Sequence, residues 1–133
     1  MLKGPDGPAI CQLVREGSQA QRITGAIYQL QASLAEDVEI EGLARAAGMS
    51  RATFFKRFKE ATAMSPLQYQ KRLRLLEARR LMLDESEGAE TSAFRVGYTS
   101  ASQFSREYSR MFGNAPLRDT RKLKQTPRVA EDL

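Results

Sequence analysis

The sequence predicts an all-α fold in which two helix-turn-helix subdomains are joined by a long linker helix. The leading observation is a repeat: residues 43–67 return about fifty positions later, at 92–117. Ala44, Gly48, Phe54, Phe58, Pro66 and Leu67 are answered by Ala93, Gly97, Phe104, Tyr108, Pro116 and Leu117. In each repeat, apolar residues recur at helical spacing on both sides of a glycine. Between the repeats, Ser65, Pro66 and Gln68 supply an N-cap, a first-turn proline and a reciprocal capping partner for one long helix.

The elements follow in order. Residues 1–17 hold Gly4, Pro5, Gly7 and Pro8, which break regular structure, and Ile10, Leu13 and Val14 suffice for one helical turn or more. This stretch reads as a tail or a remnant. From about 18 to 34, the stripe Ile23, Ile27, Leu30 and Leu34 predicts a first helix packed over the first repeat. Ile40, Leu43, Ala44 and Ala47 predict a short helix that stops at Gly48, where the exit needs left-handed backbone. Ser50 then caps a helix with Phe54, Phe58 and Thr62 inward and Arg51, Lys56, Arg57 and Lys59 outward. The linker helix runs over about 66–84. Leu75, Ala78, Leu81 and Met82 face its core side, while Lys71, Arg72, Arg74, Arg79 and Arg80 need solvent, acids or phosphate.

In the second repeat a short helix around Ala93 and Val96 ends at Gly97, and the offset between repeats grows by one residue there, predicting a longer turn. Ser100 and Gln103 match a capping box. The helix they open carries Phe104, Tyr108 and Phe112 inward and Ala101, Ser102, Gln103, Arg106 and Arg110 outward. A final helix from Pro116 reaches about Leu123, and residues 124–133 are expected to be mobile.

The chain has 133 residues and a net charge of +5, which suits one domain or a pair of subdomains, 18–64 and 85–123 on either side of the linker. The charge is concentrated. Residues 42–83 hold ten Lys or Arg against two acids, and residues 91–128 hold eight against two, whereas residues 1–41 hold three bases and six acids. Positive charge therefore gathers on the two repeats, where a phosphate backbone would be met.

A single cysteine, Cys11, excludes an internal disulfide and multi-cysteine metal sites, and the absence of histidine excludes histidine ligands and histidine bases. No glycine-rich phosphate loop or serine-elbow pattern is present, so no cofactor, metal or catalytic residue is expected. Glu36, Asp37, Glu39 and Glu41 cluster as a solvated helix flank. No stretch is apolar enough to span a membrane and no signal peptide is legible, which predicts a cytoplasmic protein.

With these residues in view, the chain from about 22 to 123 resembles the DNA-binding domain of the AraC/XylS family of bacterial transcription regulators. The resemblance rests on LARAAGMS, on FFKRFKEATAMSPLQYQKRLRLLEARRLML, and on AFRVGYTSASQFSREYSRMFGNAPLR. It implies a homeodomain-like domain of about seven helices, with one recognition helix from each subdomain in the major groove on the same DNA face. It also implies that Arg51, Ala52, Phe55 and Lys56 of the first repeat, and Ser102, Gln103 and Arg106 of the second, read bases. Arg forks onto guanine, Gln onto adenine, and Ala52 or Phe55 can touch a thymine methyl. Ser50, Arg57, Lys59, Ser100 and Arg110 are the candidates for phosphate contacts. Bland alternatives stay open: Gln103 as a helix cap, Phe55 as a packing residue, Lys56 and Lys59 as solvated charges.

The chain departs from the family pattern at Ala63, where glycine is usual, and at Ala89 and Ser92, where large aliphatics are usual. The last two predict a short, loosely packed first helix in the second repeat, one that orders only on DNA. Residues 1–17 resemble the end of a sensor domain, so a fragment or truncated chain is expected, without a small-molecule ligand and monomeric. The implied partners are double-stranded DNA and RNA polymerase. The competing readings are a helical protein-interaction module and a nonspecific nucleoid-type binder, which differ in whether a preferred sequence exists.

Overall fold

The computed structural model describes residues 8–125, which form seven helices and no strand. In chain order these are α1 (Pro8–Ala32), α2 (Ile40–Ala46), α3 (Arg51–Thr62), α4 (Pro66–Asp84), α5 (Ala89–Arg95), α6 (Ala101–Phe112) and α7 (Pro116–Gln125). The chain divides into two units. The first takes α1 to α3 and the opening turn of α4; the second takes the segment Leu34–Asp37, the rest of α4, and α5 to α7.

In the first unit α1 and α2 both pack on α3. Ile23, Ala26 and Leu30 of α1 are buried, as are Ile40, Leu43 and Ala44 of α2 and Phe54 and Phe58 of α3. Phe54 and Phe58 are fully buried one turn apart with ring centroids at 5.7 Å, and Phe58 meets Tyr69 edge-on at 5.5 Å. Each such ring contributes about 1.5–3 kcal/mol of apolar burial. α2 closes as a Schellman turn: the Gly48 N–H donates to Arg45 O and the Met49 N–H to Ala44 O, with Gly48 at φ +71°. The Ser50 hydroxyl then accepts the Thr53 N–H at 3.2 Å and starts α3.

The second unit repeats this plan. α5 closes with Gly97 N–H to Phe94 O and Tyr98 N–H to Ala93 O, and Ser100 Oγ accepts the Gln103 N–H at 3.1 Å. The turn between α5 and α6 is one residue longer than that between α2 and α3, as the repeat offset predicts. Its core joins Leu75, Ala78, Leu81 and Met82 of α4 to Ala93, Val96, Tyr98, Phe104 and Tyr108. Gln70 and Arg74 tie the segment Leu34–Asp37 to α4. The Gln70 amide donates to Glu36 O at 2.9 Å, and the Arg74 guanidinium donates to Leu34 O and Glu36 O at 2.5 and 2.9 Å.

α4 and its capping box match the sequence expectation: Ser65 Oγ accepts the Gln68 N–H, and Gln68 Oε1 accepts the Ser65 N–H. Three details differ from expectation, and a fourth shows how the chain meets one of its departures from the family pattern. α1 begins at Pro8 rather than near residue 18, and it ends before Leu34, which packs with the second unit. Gln103 completes only half of its box, because its side chain turns to Glu107 instead of back to Ser100. α5 is short but not loose. It has seven residues, as α2 does, and Ser92 and Ala93 are both 0% exposed, so small side chains let the backbone seat closely on its core. Finally, Ala63 does take the left-handed corner after α3, at φ +66°. Thr62 braces that corner, its hydroxyl donating to Phe58 O and accepting the Met64 N–H at 3.1 Å. The expectations for residues 1–7 and 126–133 lie outside the described residues.

Candidate nucleic-acid interface

Burying Phe54 and Phe58 fixes which side of α3 meets solvent. At about 100° per residue, Ala52, Lys56 and Lys59 fall opposite the phenylalanines, and all three are exposed. Arg51 is exposed at the first turn, where Nη1 pairs with Glu41 Oε2 at 3.1 Å and the guanidinium lies 5.1 Å from the centroid of the Phe55 ring. Phe55 is half-buried and supports Arg51 with its ring. The Ser50 hydroxyl is committed to capping, accepting the Thr53 N–H and donating to Thr53 Oγ1. Arg57 stands apart from this group. It is half-buried, pairs with Glu60 at 3.1 Å and lines a groove with Gln19, Ile23 and Thr24 of α1.

On α6 the same construction is cleaner. Phe104 and Tyr108 are buried, and Ser102, Gln103, Arg106 and Arg110 are exposed on the opposite side. Ser100 is half-buried and serves as N-cap. The second unit thus brings three expected base readers, Ser102, Gln103 and Arg106, together with one expected phosphate contact, Arg110. The first unit brings Arg51, Ala52, Phe55, Lys56 and Lys59 together and leaves Arg57 on the α1 side.

Sequence reasoning missed one residue beside this surface. Glu107 accepts hydrogen bonds from Tyr98 Oη at 2.6 Å, Gln103 Nε2 at 3.0 Å and Lys71 Nζ at 3.2 Å. Burial works to raise its pKa, but the donated hydrogen bonds and the Lys71 charge outweigh it and hold the carboxyl below the usual range. The phenol of Tyr98 is pushed well up, first by burial and then by its bond to that carboxylate. The only sequence signal was the i,i+4 spacing of Gln103 and Glu107; the contributions from residues 71 and 98 require the fold.

A second missed group underpins α6 from behind. Arg79 forks onto Asp119 at 3.0 and 3.2 Å, Tyr108 Oη donates to the same carboxylate at 2.5 Å, and the Arg79 guanidinium lies 3.8 Å from the Phe112 ring centroid. Asp119 is 5% exposed. The network locks α4, α6 and α7 of the second unit around the rear of its exposed helix.

This geometry, two glycine-closed helical turns each presenting a polar helix, agrees with the comparisons. A family model described as a helix-turn-helix domain matches residues 43–122, from α2 into α7. The chain belongs to the AraC/XylS family. AraC-type domains also supply the structural relatives. A Chromobacterium violaceum regulator with an AraC-type DNA-binding domain is 27% identical and superposes with a TM-score of 0.75, over 84% of this chain and 99% of that one. The DNA-binding domain of AdpA, solved in complex with a target DNA, is 28% identical with a TM-score of 0.72, over 78% and 94%. In sequence, the HTH-type transcriptional activator RhaS of Pectobacterium atrosepticum is 33% identical over 100 residues, 75% of this chain and 36% of RhaS. The chain therefore spans about a third of the length of the curated relatives it matches. Family and fold are those of DNA-binding transcription regulators, not of enzymes. Among the described residues no helix is long and apolar enough to cross a membrane.

Proposed function

We propose that this chain recognises a particular duplex DNA sequence, with α3 and α6 entering successive major-groove segments about one helical turn, ~34 Å, apart. In this reading Arg51, Ala52, Phe55 and Lys56 face bases in one segment, and Ser102, Gln103 and Arg106 in the other. Lys59 and Arg110 meet phosphates, with Ser100 at the start of α6 beside them, whereas Ser50 is held by its cap and Arg57 by Glu60. The bound chain acts in the bacterial cytoplasm as a monomer and activates transcription through RNA polymerase. The activating sense follows the RhaS relatives, and the DNA partner follows the AdpA complex.

The observation that carries this reading is the exposed face of α6. A solvated helix needs only polar residues there, but this one sets an arginine and a glutamine, the side chains best suited to fork onto guanine and adenine, within one turn of each other. Its buried face is anchored by Phe104 and Tyr108, which supplies the rigidity that base reading requires.

The test is titration of the full chain against a duplex enriched from a random pool and against its scrambled control, at two salt concentrations. The enriched duplex should bind more tightly at both. Arg106→Ala should cost about 1–3 kcal/mol on the enriched duplex. Lys59→Ala should weaken both duplexes alike and reduce the salt slope by about one. Equal affinity for both duplexes at the same salt would instead assign nonspecific binding. Undiminished binding by Arg106→Ala and Lys56→Ala together would remove these helices from readout.

A further inference from the structure

We propose that Glu107 is a positioning residue that orients the Gln103 amide, so that the second recognition helix reads adenine in preference to guanine. The proposal rests on the reading of Gln103 as a base contact and deepens it.

An ionised carboxylate only accepts hydrogen bonds, so the Gln103 atom turned to it must be Nε2. That atom lies 3.0 Å from Glu107 Oε2. One of the two amide hydrogens is thereby used, and the groups left for a ligand are one N–H and the carbonyl Oε1. Adenine presents one acceptor, N7, and one donor, the N6 amino group, in the major groove. One donor and one acceptor on Gln103 match it. Guanine presents two acceptors, N7 and O6, and an amide with one hydrogen already engaged cannot donate separately to both.

A glutamine and a glutamate four apart on an exposed helix ordinarily hold each other weakly. Here the carboxylate is itself fixed. Its side chain is only 14% exposed, Tyr98 donates to Oε1 at 2.6 Å, and Lys71 donates to Oε2 at 3.2 Å. Tyr98 is buried beneath it, with its ring edge-on to Phe104 at 5.3 Å between centroids. The orientation of an exposed side chain is therefore referred back to the core of the second unit. Lys71 has a further consequence: it offsets a negative charge that would otherwise stand beside the DNA phosphates. At the equivalent place in the first repeat stands Arg57, and Thr53 takes the place of Gln103, so the device belongs to the second repeat alone.

The experiment uses the full chain and duplexes that differ from the selected site at single base pairs. Gln103→Ala first identifies the base pair whose discrimination Gln103 supplies. At that pair the wild-type chain should prefer adenine over guanine by about tenfold or more. Glu107→Ala and the nearly isosteric Glu107→Gln should both reduce this ratio to within about twofold, leave discrimination at the Arg106 position intact, and have no effect on the ratio in a Gln103→Ala background. An unchanged ratio in folded Glu107 variants would overturn the proposal, as would an equal loss at every position, which marks a purely structural role. If Gln103→Ala relaxes no base pair, the base contact by Gln103 is itself wrong and the proposal falls with it.

Discussion

In the first repeat Phe58 meets Tyr69 edge-on; at the same two places in the second repeat, Tyr108 donates to Asp119, which Arg79 also grips. One unit seats its exposed helix with apolar packing, the other with a buried charge pair added. A second contrast lies on the helices themselves. Arg57 and Glu60 of α3 stand where α6 carries Glu107 and Arg110, so the charges are exchanged between the two flanks. The duplicated plan fixes the backbone, and each repeat then spends those positions differently: α3 on an ion pair beside α1, α6 on holding Gln103. Duplication of a fold therefore does not imply duplication of how its side chains are held.

The largest effect expected from this contrast is at Asp119. Asp119→Ala leaves the Arg79 guanidinium and the Tyr108 hydroxyl partly buried without their acceptor, which should cost about 3–5 kcal/mol in urea unfolding. Tyr108→Phe keeps the ion pair and should cost only about 1–2 kcal/mol. If Asp119→Ala unfolds at the wild-type urea concentration, the buried network is not what distinguishes the second unit.

The two turn glycines sharpen the comparison. Both have positive φ, but a Cβ on Gly97 would stand 2.6 Å from the backbone oxygen of Ala35, whereas one on Gly48 would meet only the Arg22 guanidinium at 3.2 Å. Backbone cannot yield as a long side chain can. Gly48→Ala should therefore cost about 1 kcal/mol of conformational strain, and Gly97→Ala that amount plus a clash, about 3 kcal/mol together. Equal losses, read from thermal melts, would mean that the second turn is no tighter than the first.

The smallest effect is expected at the helix exits. Ala63 at φ +66° and Gly113 at φ +85° do the same work after α3 and α6. Ala63→Gly should stabilise by about 0.5–1 kcal/mol and Gly113→Ala should destabilise by about as much, since nothing crowds a Cβ there. A loss of stability in Ala63→Gly would show that the Thr62 bracing needs the alanine.

These contrasts also show what was legible beforehand. Helix identities, the turn glycines, the core aromatics and the long α4 could be read because each is a local pattern: spacing, caps, a repeat. The exposed face of α6 followed from its buried one. Arg79 with Asp119, and Glu107 with Tyr98 and Lys71, could not be read, because their partners lie 9 to 40 residues apart and only the packed unit joins them. The close seating of α5 is hidden from the sequence for a related reason. Small residues suggested weak packing, whereas at Ser92 and Ala93 they permit close approach of the backbone.

Whether both repeats read DNA is decided by selecting bound sequences from a random duplex pool. Two conserved blocks with centres about one helical turn apart are expected. Arg106→Ala should erase conservation in one block only, and Lys56→Ala in the other only. A single block that survives Arg106→Ala would contradict the account, because the second repeat would then present its helix to something other than the bases.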